Sequence, residues 1–234
     1  MAENPHEMLR SFPVLPVDMP SFDDATTPHD PVPVFERWLK EAIEAQAPEP
    51  HVMTLSTTDS DGRPSSRALV CTDVSQNGLW YFPSVADRRA GQQPDDDSPA
   101  TLTFHWPRVG RQISVRGTVA PTGTEADAAN WPTRPADSHA AALISRHSTP
   151  LEGPIELQAA FEQVFTHLMA DRGLIAPDWT LYALSAQEVE FCQADHERRQ
   201  SRLCYERTGT TWRLIRGIDH LCDSPVPPPP QTAP

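Results

Sequence analysis

Apolar residues recur at three- and four-residue intervals near the start of the chain: Val34, Phe35, Trp38, Leu39, Ala42 and Ile43. That spacing lines one face of a helix and predicts an amphipathic helix over 33–46. Beyond it the period drops to two. Val52 to Thr57 reads as a strand, Asp61-Gly62 as a turn, and Ser66 to Asp73 as the next strand. Asn77-Gly78 predicts a second hairpin turn into Leu79 to Phe82. Ala100, Leu102, Phe104 and Trp106 alternate with Thr101, Thr103 and His105; Ile113, Val115, Gly117 and Val119 alternate with Gln112, Ser114, Arg116 and Thr118. Such alternation marks half-buried antiparallel strands. Helices are expected near 124–131, 135–146 and 155–171, and strands near 180–184, 187–193, 202–207 and 211–215. Antiparallel strands with short turns, interrupted by a helical insertion, predict a mainly β fold with helices (α+β), a closed or nearly closed barrel with helices packed outside.

The flanks lack these periods. Residues 1–31 are rich in Pro, Asp and Met and read as a flexible N-terminal arm; residues 32–217 form the expected domain; residues 218–234, with Pro227 to Pro230 in a row, read as a Pro-rich disordered tail. The net charge of −13 argues against a nucleic-acid partner, which needs a basic footprint. A local arginine cluster can still oppose that sign and hold a small anion. Lys40 is the only lysine, so a phosphate site has to rely on arginine, backbone N–H groups and hydroxyls. Cys71, Cys192, Cys204 and Cys222 show no CxxC spacing and are expected to be free thiols in a reducing compartment. No stretch has the apolar length of a bilayer span or a signal-peptide core, so a cytoplasmic protein without membrane attachment is expected.

Motifs for nucleotide loops, zinc proteases and serine hydrolases are missing from the sequence, and His105, His139 and His147 are not spaced as metal ligands. The arginines say more. Arg67 sits among apolar neighbours on a strand; Arg88-Arg89 follow Leu79 to Phe82; Arg111-Gln112 open a strand; Arg198 and Arg202 precede the last hairpin. Converging at strand ends they would make an anion pocket. Taken singly, each reads first as a surface charge.

Five segments, in order, resemble the pyridoxamine 5'-phosphate oxidase family, FMN enzymes of the split-barrel fold. They are DPVPVFERWLKEA, LSTTDSDGRPSSR, FHWPRVGRQISVRGTV, RPADSHAAALISRHS and VEFCQADHERRQSR. The resemblance covers roughly residues 31–216 and implies FMN as cofactor, with contacts from both subunits of a homodimer. It places Arg67, Arg88 and Arg89 at the FMN phosphate, Gln112 near the isoalloxazine ring, and Arg202 near the flavin's polar edge. Ser148 matches the serine of a Gln-Ser pair, His147 replaces that glutamine, and Cys192 stands where the family has a tryptophan, removing flat contact area.

The substrate side departs further. Thr72 stands at the family's phosphate-binding lysine and Asn130 at a tyrosine, while Arg134 and Ser138 match the other phosphate ligands. Arg198 matches the arginine over the substrate ring, and Gln200 replaces the histidine of the Arg-Leu-His motif. Arg198 and Gln200 are the candidate catalytic pair; Gln200 cannot exchange a proton at ordinary pH. The implied activity is a dehydrogenation by hydride transfer to flavin N5, with molecular oxygen reoxidising the flavin to give hydrogen peroxide. The altered substrate positions point to a small, nitrogen-containing cyclic metabolite of a specialised pathway, in the manner of relatives that oxidise dihydro-phenazine precursors. Arg134, Ser138 and Arg198 favour an alternative, a pyridoxine or pyridoxamine 5'-phosphate oxidase. Cys192 and His147 motivate a third, a flavin-binding barrel without turnover.

Overall fold

A computed structural model describes residues 19–20, 27–59, 61–85, 97–131, 154–170, 179–194 and 200–217. Its elements are helix α1 (Pro31–Glu44), strands β1 (Val52–Thr58), β2 (Pro64–Val70), β3 (Asp73–Val74), β4 (Leu79–Val85) and β5 (Ser98–Trp106), a 3₁₀ turn (Pro107–Val109), β6 (Arg111–Pro121), α2 (Thr124–Asn130), α3 (Pro154–Ala170), β7 (Trp179–Ala194), β8 (Gln200–Thr208) and β9 (Thr211–Gly217). The strands hydrogen-bond in the order β2-β1-β5-β6-β7-β4-β3, with β8 on β7 and β9 on β8. The described pairings are antiparallel, as the two-residue alternation predicts.

Three expectations shift. Helix α1 begins at Pro31, where Asp30 caps it by accepting the Val32 N–H at 2.8 Å. The strand expected over 66–73 ends at Val70, because the Thr72 N–H turns to the Tyr81 carbonyl at 2.8 Å. The two strands expected over 180–184 and 187–193 are one 16-residue strand, β7. Its first half pairs with β4 (Leu79↔Ser185) and its second with β8 (Glu188↔Glu206), so two short pairing runs look like two strands in the sequence. The helix expected over 135–146 lies outside the described residues, as do residues 1–18 and 218–234.

The chain divides into two compact units. One comprises residues 1–48, 105–113 and 188–234. Here α1 buries Val32, Val34, Phe35, Trp38 and Ala42. Trp38 meets Phe191 edge-on at 5.2 Å, Phe191 meets Tyr205 at 5.8 Å, and Phe35 lies 6.2 Å from Trp106. Each such aromatic, taken out of water, stabilises by about 1.5–3 kcal/mol. Arg111 is buried within this core. It pairs with Glu41 at 2.6 Å, donates from Nε to Gln193 Oε1 at 3.0 Å, and lies over the Trp38 ring at 4.2 Å. Burial pushes its guanidinium below the ordinary value; the hydrogen bond and charge of Glu41 oppose that. Residues from the N-terminal arm join the same unit: the Tyr205 hydroxyl donates to the Pro28 carbonyl at 2.8 Å, and the Gln193 amide donates to the Pro20 carbonyl.

The other unit comprises Glu49–Phe104 and Ser114–Gln187. Trp80 packs on Phe104 and Phe82 stacks on Tyr182. A second cluster joins Trp131, Trp179 and Leu181, with Tyr81 and Phe161 against it. At Gly117, β6 lies close against β7: a Cβ there would lie 2.0 Å from the Ser185 carbonyl oxygen. No larger residue fits without moving backbone.

Candidate functional site

In the first unit, the register of β6 against β7 is set where the Ala194 N–H donates to the Gly110 carbonyl at 3.0 Å. Arg111 and Gln193 then face each other on the buried side, joined by their side chains. Successive strand residues project to opposite faces, so Gln112 and Cys192 share the other face. Gln112 is exposed and Cys192 half-buried. Across the next strand, Cys192 is the register partner of Arg202, and Ala194 that of Gln200. Gln112, Cys192 and Arg202 thus form one row across β6, β7 and β8. Sequence distance hides this row; strand pairing assembles it.

Two residues of this face were not singled out in the sequence. Glu190 lies two positions before Cys192, hence on the same side, and its Oε2 meets Arg202 Nη1 at 3.3 Å. Alternation alone puts Glu190 on the face, but only the β7–β8 register shows that it meets Arg202. Cys204, the register partner of Glu190, is disulfide-bonded. That corrects the expectation of four free thiols; Cys71 and Cys192 are free. Disulfide pairing depends on Cα–Cα approach, which spacing along the chain does not reveal. Burial pushes the Cys192 thiol above its ordinary value, opposed by Arg202 and reinforced by Glu190. Cys192 is therefore a neutral, small side chain at neutral pH rather than a thiolate nucleophile.

In the second unit, Arg67 on β2 pairs in register with Leu55, while Leu69 pairs with Met53. It therefore projects on the strand face of buried Met53 and Leu55, and its Nη2 is buried. An arginine turned to the apolar side keeps its charge there and suits an anionic group. Thr72 and Asn130 border one apolar cluster. The Thr72 hydroxyl donates to the Tyr81 carbonyl at 3.2 Å, and Tyr81 packs against Trp131, the residue after Asn130. A hydroxyl has a single proton. With it given to Tyr81, Thr72 offers an incoming phosphate only lone pairs.

Arg88, Arg89, Arg134, Ser138, His147, Ser148 and Arg198 lie outside the described residues. The described donors, each within its own unit, are of the kinds an anionic flavin uses. The single lysine, Lys40, is exposed and pairs with Glu44 on α1, so the cationic groups are arginines. Arg67 supplies a partly buried charge suited to phosphate, and the Gln112–Arg202 row supplies N–H donors suited to a ring edge. No group of three or more His, Cys, Asp or Glu residues that could hold a metal occurs among the described residues, and no described helix is long and apolar enough to cross a membrane.

Residues 39–168 match the model of pyridoxamine 5'-phosphate oxidase, and residues 179–216 that of the pyridoxine 5'-phosphate oxidase C-terminal dimerisation region. The chain is 33% identical over 199 residues to a pyridoxine/pyridoxamine 5'-phosphate oxidase of Burkholderia lata, covering 84% of this chain and 92% of that protein. It is 33% identical over 197 residues to its namesake from Rubrobacter xylanophilus, covering 83% and 88%. Among solved structures, it is similar to PhzG from Burkholderia lata in complex with tetrahydrophenazine-1-carboxylic acid, with TM-score 0.72, 28% identity, and 88% and 100% of the two chains covered. A pyridoxamine 5'-phosphate oxidase-related, FMN-binding protein from Nostoc punctiforme shares the fold, with TM-score 0.60, 17% identity, and 78% and 96% covered. The chain belongs to the pyridoxamine 5'-phosphate oxidase family, FMN-dependent oxidoreductases of the split-barrel fold.

Proposed function

We propose that this protein is an FMN-dependent oxidase that dehydrogenates a small, nitrogen-containing cyclic metabolite rather than pyridoxine 5'-phosphate. The observation that carries the choice is Thr72. Where a phosphate-binding lysine would stand, the chain has a hydroxyl whose proton goes to the Tyr81 carbonyl. Exchanging a cationic phosphate contact for a neutral group already used internally costs a few kcal/mol of binding, one to three orders of magnitude in affinity. The likeness to PhzG, solved with a reduced phenazine carboxylic acid, supports the same choice. The names of the curated relatives favour the B6 substrate, so the two are put to one test.

Bound FMN would supply the redox chemistry, accepting a hydride at N5 and returning the electrons to O2 as hydrogen peroxide. Arg67, with Arg88 and Arg89, holds the phosphate; Gln112 and Arg202 hold the ring edge; Ser148 and His147 complete the contacts. Arg198 orients the substrate over the ring. Gln200 offers a hydrogen bond but no proton exchange, which suits a dehydrogenation driven by formation of an aromatic product. The active assembly is a homodimer, consistent with the matched dimerisation region.

The test is peroxide release by FMN-loaded protein with tetrahydrophenazine-1-carboxylic acid and with pyridoxine 5'-phosphate. Turnover of the tricyclic compound, with at least tenfold lower kcat/KM for the B6 vitamer, is expected. Equal or better use of pyridoxine 5'-phosphate overturns the proposal.

A further inference from the structure

We infer that Glu190 is the positioning residue of Arg202: it fixes the guanidinium on the cofactor-facing side of β7–β8 and lowers the positive charge that FMN meets there. The inference rests on the proposed flavin role of Arg202 and goes beyond it. Arg202 and Cys192 are direct register partners, and Glu190 is one alternation away on β7. The Oε2–Nη1 contact of 3.3 Å therefore runs diagonally across the strand pair. Both side chains are largely out of water, Arg202 at 24% exposure and Glu190 at 16%, so the pair is screened weakly. Cys192 stands opposite Arg202 in register in place of a broad aromatic, so no large ring braces Arg202 from that position. The Glu190 carboxylate contacts its guanidinium.

A reduced flavin is more negative than an oxidised one, and a cation at its polar edge favours the reduced form. Glu190 offsets that cation. Glu190→Gln removes one negative charge while keeping the side chain's size, so it should raise the midpoint potential of bound FMN. As a scale, a unit charge acting over about 10 Å in a medium of effective dielectric about 20 changes the reduced-to-oxidised affinity ratio on the order of tenfold. For a two-electron couple that is about 30 mV.

The experiment measures FMN affinity by fluorescence quenching and the potential by dye-coupled reduction, at saturating FMN. The proteins are the wild type, Glu190→Gln, Glu190→Asp, Arg202→Gln and the Glu190→Gln/Arg202→Gln double variant. An upward shift in Glu190→Gln, a potential near wild type in Glu190→Asp, and a shift of different size when Glu190→Gln is added to Arg202→Gln, where no guanidinium is left to position, are expected. No shift, or an equal shift in the Arg202→Gln background, overturns the inference while leaving the FMN reading intact. A wild-type protein that takes up no FMN overturns the flavin reading instead, and the inference with it.

Discussion

Glu41→Gln tests how the buried Arg111 is kept in the core. Arg111 has 2% of its side chain exposed, its Nη1 lies 2.6 Å from Glu41, and Glu41 is 35% exposed. Removing one partner of a fully buried pair costs about 3–5 kcal/mol, because the remaining charge is left uncompensated. Water reaching Glu41 reduces that, and the glutamine oxygen still accepts a hydrogen bond worth about 1 kcal/mol. The expected loss is therefore about 2 kcal/mol, or roughly 4–8 °C in Tm for a chain of this size. Urea unfolding followed by tryptophan fluorescence reads it directly, since Trp38 lies under the guanidinium. High salt should leave the loss nearly unchanged, unlike that of a surface pair. In an Arg111→Met background the same Glu41→Gln change should be close to neutral, with no buried cation left to compensate. A loss below about 0.5 kcal/mol, the scale of an ordinary surface substitution, or an equal loss in both backgrounds, would refute the account.

Gly117→Ala should destabilise by more than about 3 kcal/mol or prevent soluble expression, since its Cβ would lie 2.0 Å from the Ser185 carbonyl oxygen; an unchanged melting curve would sink this. Asp30→Ala removes the side chain that caps α1 and should cost about 1 kcal/mol in urea titration, with Asp30→Ser recovering most of it. Burial pushes the Cys71 thiol from 9.0 up to about 12, with the hydrogen bond to the Asp73 backbone opposing and the Asp73 charge adding. The fold keeps the neutral thiol, so its contribution to stability is whole below pH 9.0 and fades as pH rises toward about 12; native Cys71 should react with a thiolate-seeking reagent at pH 8 about a thousandfold more slowly than in urea, as read by mass spectrometry. Thr72→Lys should raise kcat/KM for pyridoxine 5'-phosphate at least tenfold if the remaining phosphate ligands are in place, and peroxide assays measure that gain.

The alternation of apolar and polar residues by itself determined the strand content and the antiparallel pairing, because a half-buried strand needs one apolar face. The helical period of Val34 to Ile43 likewise fixed α1. Motif order carried the family, and with it the cofactor. The boundaries that failed were those where hydrogen bonding, not hydrophobicity, decides. The Thr72 N–H turning to Tyr81 ends β2, and the exchange of β7 from β4 to β8 hides a single strand behind two apparent ones. The candidate site was legible residue by residue but not as an arrangement. Nothing in the order of the chain brings Gln112, Cys192 and Arg202 into one row, shows Glu190 meeting Arg202, or reveals that the Thr72 proton is already used. Those facts depend on register, and register is set by backbone hydrogen bonds between residues far apart in sequence. The same holds for Cys204 and Arg111. A cysteine spacing does not say which thiols approach, and a charged residue beside apolar ones reads as exposed until Glu41, Trp38 and Gln193 close around it.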